Sequence, residues 1–426
     1  MPQLSQPGGQ PIQQSANESP SIIVVASQQG SVAALRAADG APIWQAQMEL
    51  DVSSVVCDRE RVYVATHADA HLGGEPPARI VALRAADGTP VWRQAVKGLA
   101  GRAALALDGD RLVASSNMGD GAVCAFETRT GRLRWRYALY HGWARLFDPL
   151  TPWGSFIAQV RWRWPAIALE RLITLQGGIA YISENEAPYP PHFTALDVRN
   201  GAVRWRYHHY FDTLTVAKDG TRVAVQGATF EGEQRHERSL SVFNARTGAA
   251  QATLAPLGSS VILAITGSDA AHILCILEHH LAVIVARRLE DGGELWRAPI
   301  QLNTSEENDE AGEEGQTIHH TAPMVALQIV TGRDSLCYAQ HMRRLPGGDP
   351  LAEVTVLDTI TGRRLWRWRS PIGLDKNVNS VTLVGDGEAL YLATSLGLFA
   401  LKASDGQLLW HGAQDMGLSF ISPAIP

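Results

Sequence analysis

The sequence predicts an all-β fold, an eight-bladed propeller of four-stranded antiparallel blades, from three observations: a hairpin phrase that recurs eight times, a basic period of about 45 residues, and chain ends that are each a fragment of one unit. The phrase reads AALRAADGAPIW at 33–44, VALRAADGTPVW at 81–92, CAFETRTGRLRW at 124–135, TALDVRNGAVRW at 194–205, TVLDTITGRRLW at 355–366 and FALKASDGQLLW at 399–410. Two copies are degenerate: SVFNARTGAAQA at 241–252 has Ala252 where tryptophan is expected, and ARRLEDGGELW at 286–296 keeps Trp296.

Each copy sets Asp, Thr or Asn before a glycine, between two runs rich in apolar residues. Glycine supplies the positive φ of a tight turn, so each copy is two antiparallel strands and their hairpin. Two further strand-like runs precede each phrase, as in 52–56 and 61–65, which makes the unit a four-stranded meander. Two of the steps between glycines carry roughly 25 additional residues, read as loop insertions at 140–170 and 301–318. Ile22 to Ala26 supplies only a second strand, and Ser419 to Ile425 is an orphan run of the type that begins a unit. Pairing the C-terminal run with the N-terminal blade is expected to close the ring and remove exposed edges. Residues 1–20, rich in Pro, Gln, Ser and Gly, read as a disordered tail without the features of a signal peptide, and 21–426 as one domain.

Composition narrows the function classes. Thirty-seven basic against 43 acidic side chains, a net charge of −6, give no field that attracts nucleic acid. No apolar run reaches the roughly 18 residues needed to span a bilayer, so no transmembrane segment is expected. Cys57, Cys124, Cys275 and Cys337 form no CxxC pair and read as buried free thiols.

The pattern Ala-Leu-x-x-x-(Asp/Thr/Asn)-Gly-x-x-x-Trp resembles the tryptophan-docking repeat of the quinoprotein-like, PQQ-repeat propellers. The resemblance covers the chain after the tail. It implies that Trp44, Trp92, Trp135, Trp205, Trp296, Trp366 and Trp410 lie between blades and pack on the backbone of a neighbouring copy. The small Ala34, Ala82, Ala125, Ala195 and Ala400 leave room for a ring. The blade with Ala252 is then expected to be the weakest joint.

The resemblance implies two functional classes. In the quinoprotein dehydrogenases, PQQ and Ca2+ sit over the channel, and such enzymes usually carry an adjacent cysteine pair, which is missing here. Asp51, Arg102, Arg171, Asp212, His320, Asn377 and Asn379, at the starts of innermost strands, are where a cofactor would be held, but no spacing rule links them. The other class comprises interaction platforms, among them the propeller lipoprotein of the barrel-assembly machinery, whose Cys-bearing leader is not seen in this sequence. The expected function is a non-catalytic binding or scaffolding propeller, with no cofactor, a protein partner, no nucleic acid and a monomeric state. A PQQ- and calcium-dependent dehydrogenase, or a degenerate relative, is the alternative; a sensor domain detached from a kinase or membrane anchor is a third reading. The resemblance places the chain outside the cytoplasm.

The partner candidates lie in the first insertion: Trp143, Trp153, Arg161, Trp162, Arg163 and Trp164, an Arg- and Trp-rich composition typical of interface hot spots. A strand with Trp162 and Trp164 on one face and both arginines on the other, folded onto the propeller, is the alternative for this loop. The second insertion is acidic, with Glu306, Glu307, Asp309, Glu310, Glu313 and Glu314, and lacks EF-hand spacing. The histidine pairs 208/209, 279/280 and 319/320 are adjacent in sequence and on a strand would face opposite ways, which disfavours a shared metal. His67 and His71, in a loop with Asp69 and Glu75, could share one.

Overall fold

A computed structural model describes residues 21–67, 77–118, 122–138, 174–184, 192–207, 213–217, 219–231, 234–254, 261–268, 271–278, 283–299, 328–331, 336–343, 351–371, 382–385, 387–394, 396–414 and 416–425. They form an all-β propeller of antiparallel strands. The first sheet holds β1 (Ile22–Ser27), β2 (Ser31–Arg36) and β3 (Pro42–Gln47). The second runs from β4 (Asp51–Cys57) through β5 (Arg61–His67), β6 (Pro77–Arg84), β7 (Pro90–Asp108), β8 (Arg111–Met118) and β9 (Ala122–Glu127) to β10 (Leu133–Ala138). Four-stranded meanders follow: β11 (Thr174–Gln176), β12 (Ile179–Glu184), β13 (His192–Asp197), β14 (Val203–Tyr207); then β15 (Thr213–Val216), β16 (Arg222–Glu231), β17 (Gln234–Asn244), β18 (Ala250–Leu254). The last three are β19 (Val261–Ser268), β20 (Ala271–Glu278), β21 (Val283–Arg288), β22 (Glu294–Pro299); β23 (Gln328–Thr331), β24 (Leu336–Arg343), β25 (Leu351–Asp358), β26 (Arg364–Arg369); and β27 (Thr382–Gly385), β28 (Ala389–Thr394), β29 (Gly397–Lys402), β30 (Leu408–Gly412). The final strand, β31 (Leu418–Ile425), returns to the first sheet and pairs antiparallel with β1, Val25 opposite Ile421.

There are seven sheets rather than the expected eight, and one of them has seven strands. The difference is local: the chain runs on from Pro90 to Asp108 as the single 19-residue strand β7, whereas between β3 and β4 it leaves the strand conformation at 48–50. Its first part pairs with β6, Trp92 opposite Ala82, and its last part with β8, Leu105 opposite Ala114. One strand of each sheet, and β7 as well as β4 of the seven-stranded one, touch in order: β31 with β4, β4 with β7, β7 with β11, β11 with β15, β15 with β19, β19 with β23, β23 with β27, and β27 with β31; these are called the innermost strands below.

The repeated phrase folds into the third and fourth strands of its sheet. In each tryptophan-bearing copy the ring stands directly across the ladder from a small or β-branched residue: Ala34, Ala82, Ala125, Ala195, Ala286, Val356 and Ala400. Each indole Nε1 then donates to a backbone carbonyl of the next copy. Trp44 reaches Ala85 O at 2.7 Å, Trp92 reaches Thr128 O at 2.9 Å, Trp135 reaches Val198 O at 2.7 Å and Trp205 reaches Ala245 O at 3.0 Å. Trp296 to Thr359 O, Trp366 to Ala403 O and Trp410 to Ala37 O are each 2.9 Å, the last linking the final copy to the first. Large apolar area is buried while the only polar atom of the ring stays bonded.

At the degenerate joint the side chain over Gly292 is Leu254, two positions beyond Ala252. A Cβ added at Gly292 would stand 2.9 Å from Leu254 Cδ2. Leu254 packs with Leu240, Ile265 and Leu274, and it brings no N–H to the neighbouring carbonyl. Leu254→Ala is expected to lower stability by about 2–3 kcal/mol, toward the low end for Leu→Ala because these aliphatic neighbours can move inward. Urea unfolding followed by far-UV circular dichroism measures it, and a loss below about 0.5 kcal/mol would show that Leu254 does not fill the joint.

Candidate functional site

Two regions of a propeller can carry function, the innermost strands around the axis and the outer edges of the blades. The innermost strands are rich in small and aliphatic residues, and two serines of β4 bond to the adjacent β7. Ser53 Oγ donates to Ala103 O at 2.9 Å and accepts from Ala103 N at 3.2 Å, and Ser54 Oγ accepts from Leu105 N at 3.1 Å. These bonds tie β4 to β7 across two repeats. Cys57 Sγ lies 3.0 Å from Ser422 Oγ of β31, and burial pushes its thiol up to about 12 against the opposing effect of that hydrogen bond. A thiol so held is protonated near neutral pH and is no nucleophile.

Charge is scarce along this wall. Among the described residues of the innermost strands, taking β7 from position 101, only Asp51, Arg102 and Asp108 are Asp, Glu, Lys, Arg or His. Asp51 is half-buried and stands opposite the buried His67 in the β4–β5 register. Of the other positions proposed to hold a cofactor, Arg102 is on β7, and Arg171, Asp212, His320, Asn377 and Asn379 lie outside the described residues. The histidine pairs 208/209, 279/280 and 319/320, with His71, Asp69 and Glu75, also lie outside them. Among the described residues no three His, Cys, Asp or Glu side chains come together as a metal site. Cys124 and Cys275 are buried free thiols and Cys57 is half-buried.

The partner candidates Trp143, Trp153, Arg161, Trp162, Arg163 and Trp164 all lie outside the described residues. A related pattern occurs on β26, RLWRWR, which sequence reasoning passed over. Period two puts Trp366 and Trp368 on one face of β26, and Arg367 and Arg369 on the other. Across the ladder from Arg369 stands Glu353, only 1% exposed, whose Oε2 accepts from Arg369 Nε at 2.6 Å and from Arg367 Nη2. One buried carboxylate thereby holds two guanidinium groups in fixed positions. The signal in the sequence was the Arg/Trp alternation itself. Its acidic partner is 14 residues upstream of Arg367 and is legible only once β25 and β26 are paired.

A family model described as "Outer membrane protein assembly factor BamB" matches residues 28–267 and 320–418. The chain belongs to the BamB family. Its repeats are thus PQQ-type. No curated protein matches this BamB-family chain. Among solved structures, apo AztD from Citrobacter koseri is 8% identical with a TM-score of 0.58, over 96% of this chain and 98% of that one, which shows a shared fold. BamB from Moraxella catarrhalis is 15% identical, with a TM-score of 0.47 over 88% and 89% of the two chains. Quinohemoprotein alcohol dehydrogenase from Comamonas testosteroni is 14% identical, with a TM-score of 0.41 over 94% of this chain and 66% of the enzyme. No helix among the described residues is long and apolar enough to cross a membrane.

Proposed function

We propose that this BamB-family propeller is a non-catalytic binding module that presents the outer surface of its blades to a protein partner, outside the cytoplasm. The observation that carries the reading is the innermost wall, where among the described residues eight strand segments bring only Asp51, Arg102 and Asp108 as charged types, and Ser53 and Ser54 of β4 spend their hydroxyls on the backbone of β7. A quinone bearing carboxylates, held with Ca2+, calls for converging oxygen ligands and a basic residue. Family membership supports the same reading, since the family is that of an outer membrane protein assembly factor. We further read the seven-stranded sheet as two four-stranded blades sharing β7, with β31 beside β1 completing a ring of eight.

The test is uptake of PQQ. Full-length protein mixed with PQQ and Ca2+, then passed over a desalting column, is expected to retain no quinone absorbance and to show no dye-linked oxidation of alcohols or sugars. Stoichiometric retention would replace the binding-module reading with the dehydrogenase one.

A further inference from the structure

We propose that Asn200 is a self-modification site: it deamidates through the backbone nitrogen of Gly201, and the isoaspartate form of the product loosens the joint held by Trp135. Asn200 is the one asparagine in the sequence that a glycine follows. Glycine has no Cβ to shield its nitrogen from the preceding side chain. In the first step Gly201 N bonds to Asn200 Cγ, the Cγ–Nδ2 bond breaks, and ammonia leaves with the proton that Gly201 N gives up. Water then opens the five-membered imide. Attack at Cγ gives aspartate, whereas attack at the main-chain carbonyl carbon gives isoaspartate, whose backbone runs through the former side chain and is one methylene longer.

The turn favours this step. Asn200 is exposed at the tip of the β13–β14 hairpin, and its Oδ1 accepts from Ala202 N at 2.9 Å. That bond folds the side-chain amide back over the intervening Gly201 peptide and draws electron density from Cγ. For attack, Gly201 N has to leave Asp197 O, 2.8 Å away, an opening confined to a surface turn.

The other seven hairpins show what each product meets. Where Asp stands at this position, the residue three before it is basic and the two pair: Arg36 with Asp39, Arg84 with Asp87, Arg288 with Asp291, and Lys402 with Asp405. Where the earlier residue is Glu127, Asn244 or Asp358, the position holds Thr130, Thr247 or Thr361. Thr130 and Thr361 donate to the carboxylate three residues back at 2.8 and 3.0 Å. Asn200, with Asp197 three before it, belongs to this second group. No copy places two carboxylates there, so aspartate at 200 sets a like charge against Asp197. Isoaspartate does more. Gly201 lies against the Trp135 indole, where an added Cβ would be 2.7 Å from Cδ2, and nearby Val198 O accepts from Trp135 Nε1 at 2.7 Å. A methylene inserted before Gly201 cannot leave both contacts in place.

The full-length chain, held for days in mildly alkaline buffer at body temperature, is digested and mapped by mass spectrometry, with isoaspartate labelled by an isoaspartyl methyltransferase. Asn244 is the internal reference: its Oδ1 also accepts backbone bonds, from Arg246 and Thr247, but Ala245 follows it. A one-dalton gain is expected on the Asn200 peptide at least about tenfold faster than on the Asn244 peptide, a barrier lower by about 1.4 kcal/mol or more. The deamidated fraction, separated by anion exchange, should unfold at lower urea than Asn200→Asp, which supplies the aspartate product alone. Asn200→Thr, the residue of the equivalent turns at Thr130 and Thr361, should keep its urea midpoint through the incubation. Deamidation at Asn200 no faster than at Asn244, or a deamidated fraction with the midpoint of Asn200→Asp, would each overturn the proposal.

Discussion

Trp205→Ala lowers stability by about 3–5 kcal/mol, the range for truncating a large aromatic in a packed core. Trp205 sits among Tyr181, Phe193 and Phe243, with ring centroids 6.1, 5.2 and 6.0 Å away, so alanine would leave a void bounded by rings that cannot easily collapse into it. Its Nε1 bond to Ala245 O, at 3.0 Å, is lost as well. Trp205→Phe separates the two contributions, because it keeps an aromatic ring and removes the donor. That variant is expected to lose only about 1 kcal/mol beyond its change in volume, since the Tyr181 hydroxyl lies 3.4 Å from the same carbonyl and can still serve it. The measurement is urea unfolding followed by far-UV circular dichroism, as the substitution alters fluorescence. A midpoint unchanged for Trp205→Ala would mean that the indole does not hold adjoining sheets together.

Much of this joint was legible in the sequence because its parts lie close together along the chain. The glycine, the tryptophan four residues later and the alanine that faces the ring all fall within one 12-residue phrase, and hairpin geometry alone places Ala195 opposite Trp205. Where a feature depends on residues distant in sequence, the pattern fell short. Leu254 took over the joint at Ala252 because it is on the same face of β18, two residues on, and packs against Ile265 and Leu274 of the next sheet. The continuous β7 is not legible for a related reason: the repeated glycine turns lie inside the units, so they do not mark whether the chain breaks between one unit and the next. Of the candidate site, the alternating Arg and Trp of β26 was visible as a string, but the buried Glu353 that organises it was not. Only the β25–β26 ladder brings that carboxylate to Arg367 and Arg369.

Gly248→Ala is expected to cost about 2–5 kcal/mol, from two additive sources: about 1–2 for an L-residue in the left-handed region and about 1–3 for overpacking. Gly248 has φ +71°, and a Cβ there would lie 2.5 Å from Trp205 Cγ and 2.6 Å from Cδ2. These are atoms at the root of the ring, wedged by Phe193 and Phe243, so no rotation of a flexible end relieves the clash. Gly109 isolates the first source. It has φ +55° with no atom within 4 Å of an added Cβ, so Gly109→Ala should show the backbone cost alone. The double variant isolates the second. In a Trp205→Ala background the two ring atoms are gone and only the Cβ of residue 205 remains, 2.9 Å from the added Cβ, so the cost of Gly248→Ala should fall toward that of Gly109→Ala, a coupling of about 1–3 kcal/mol between residues in direct contact. Strictly additive losses in that cycle would mean that the turn glycine and the ring from the preceding repeat do not press on each other, and the joint would then rest on the hydrogen bond to Ala245 and the surrounding aromatic contacts.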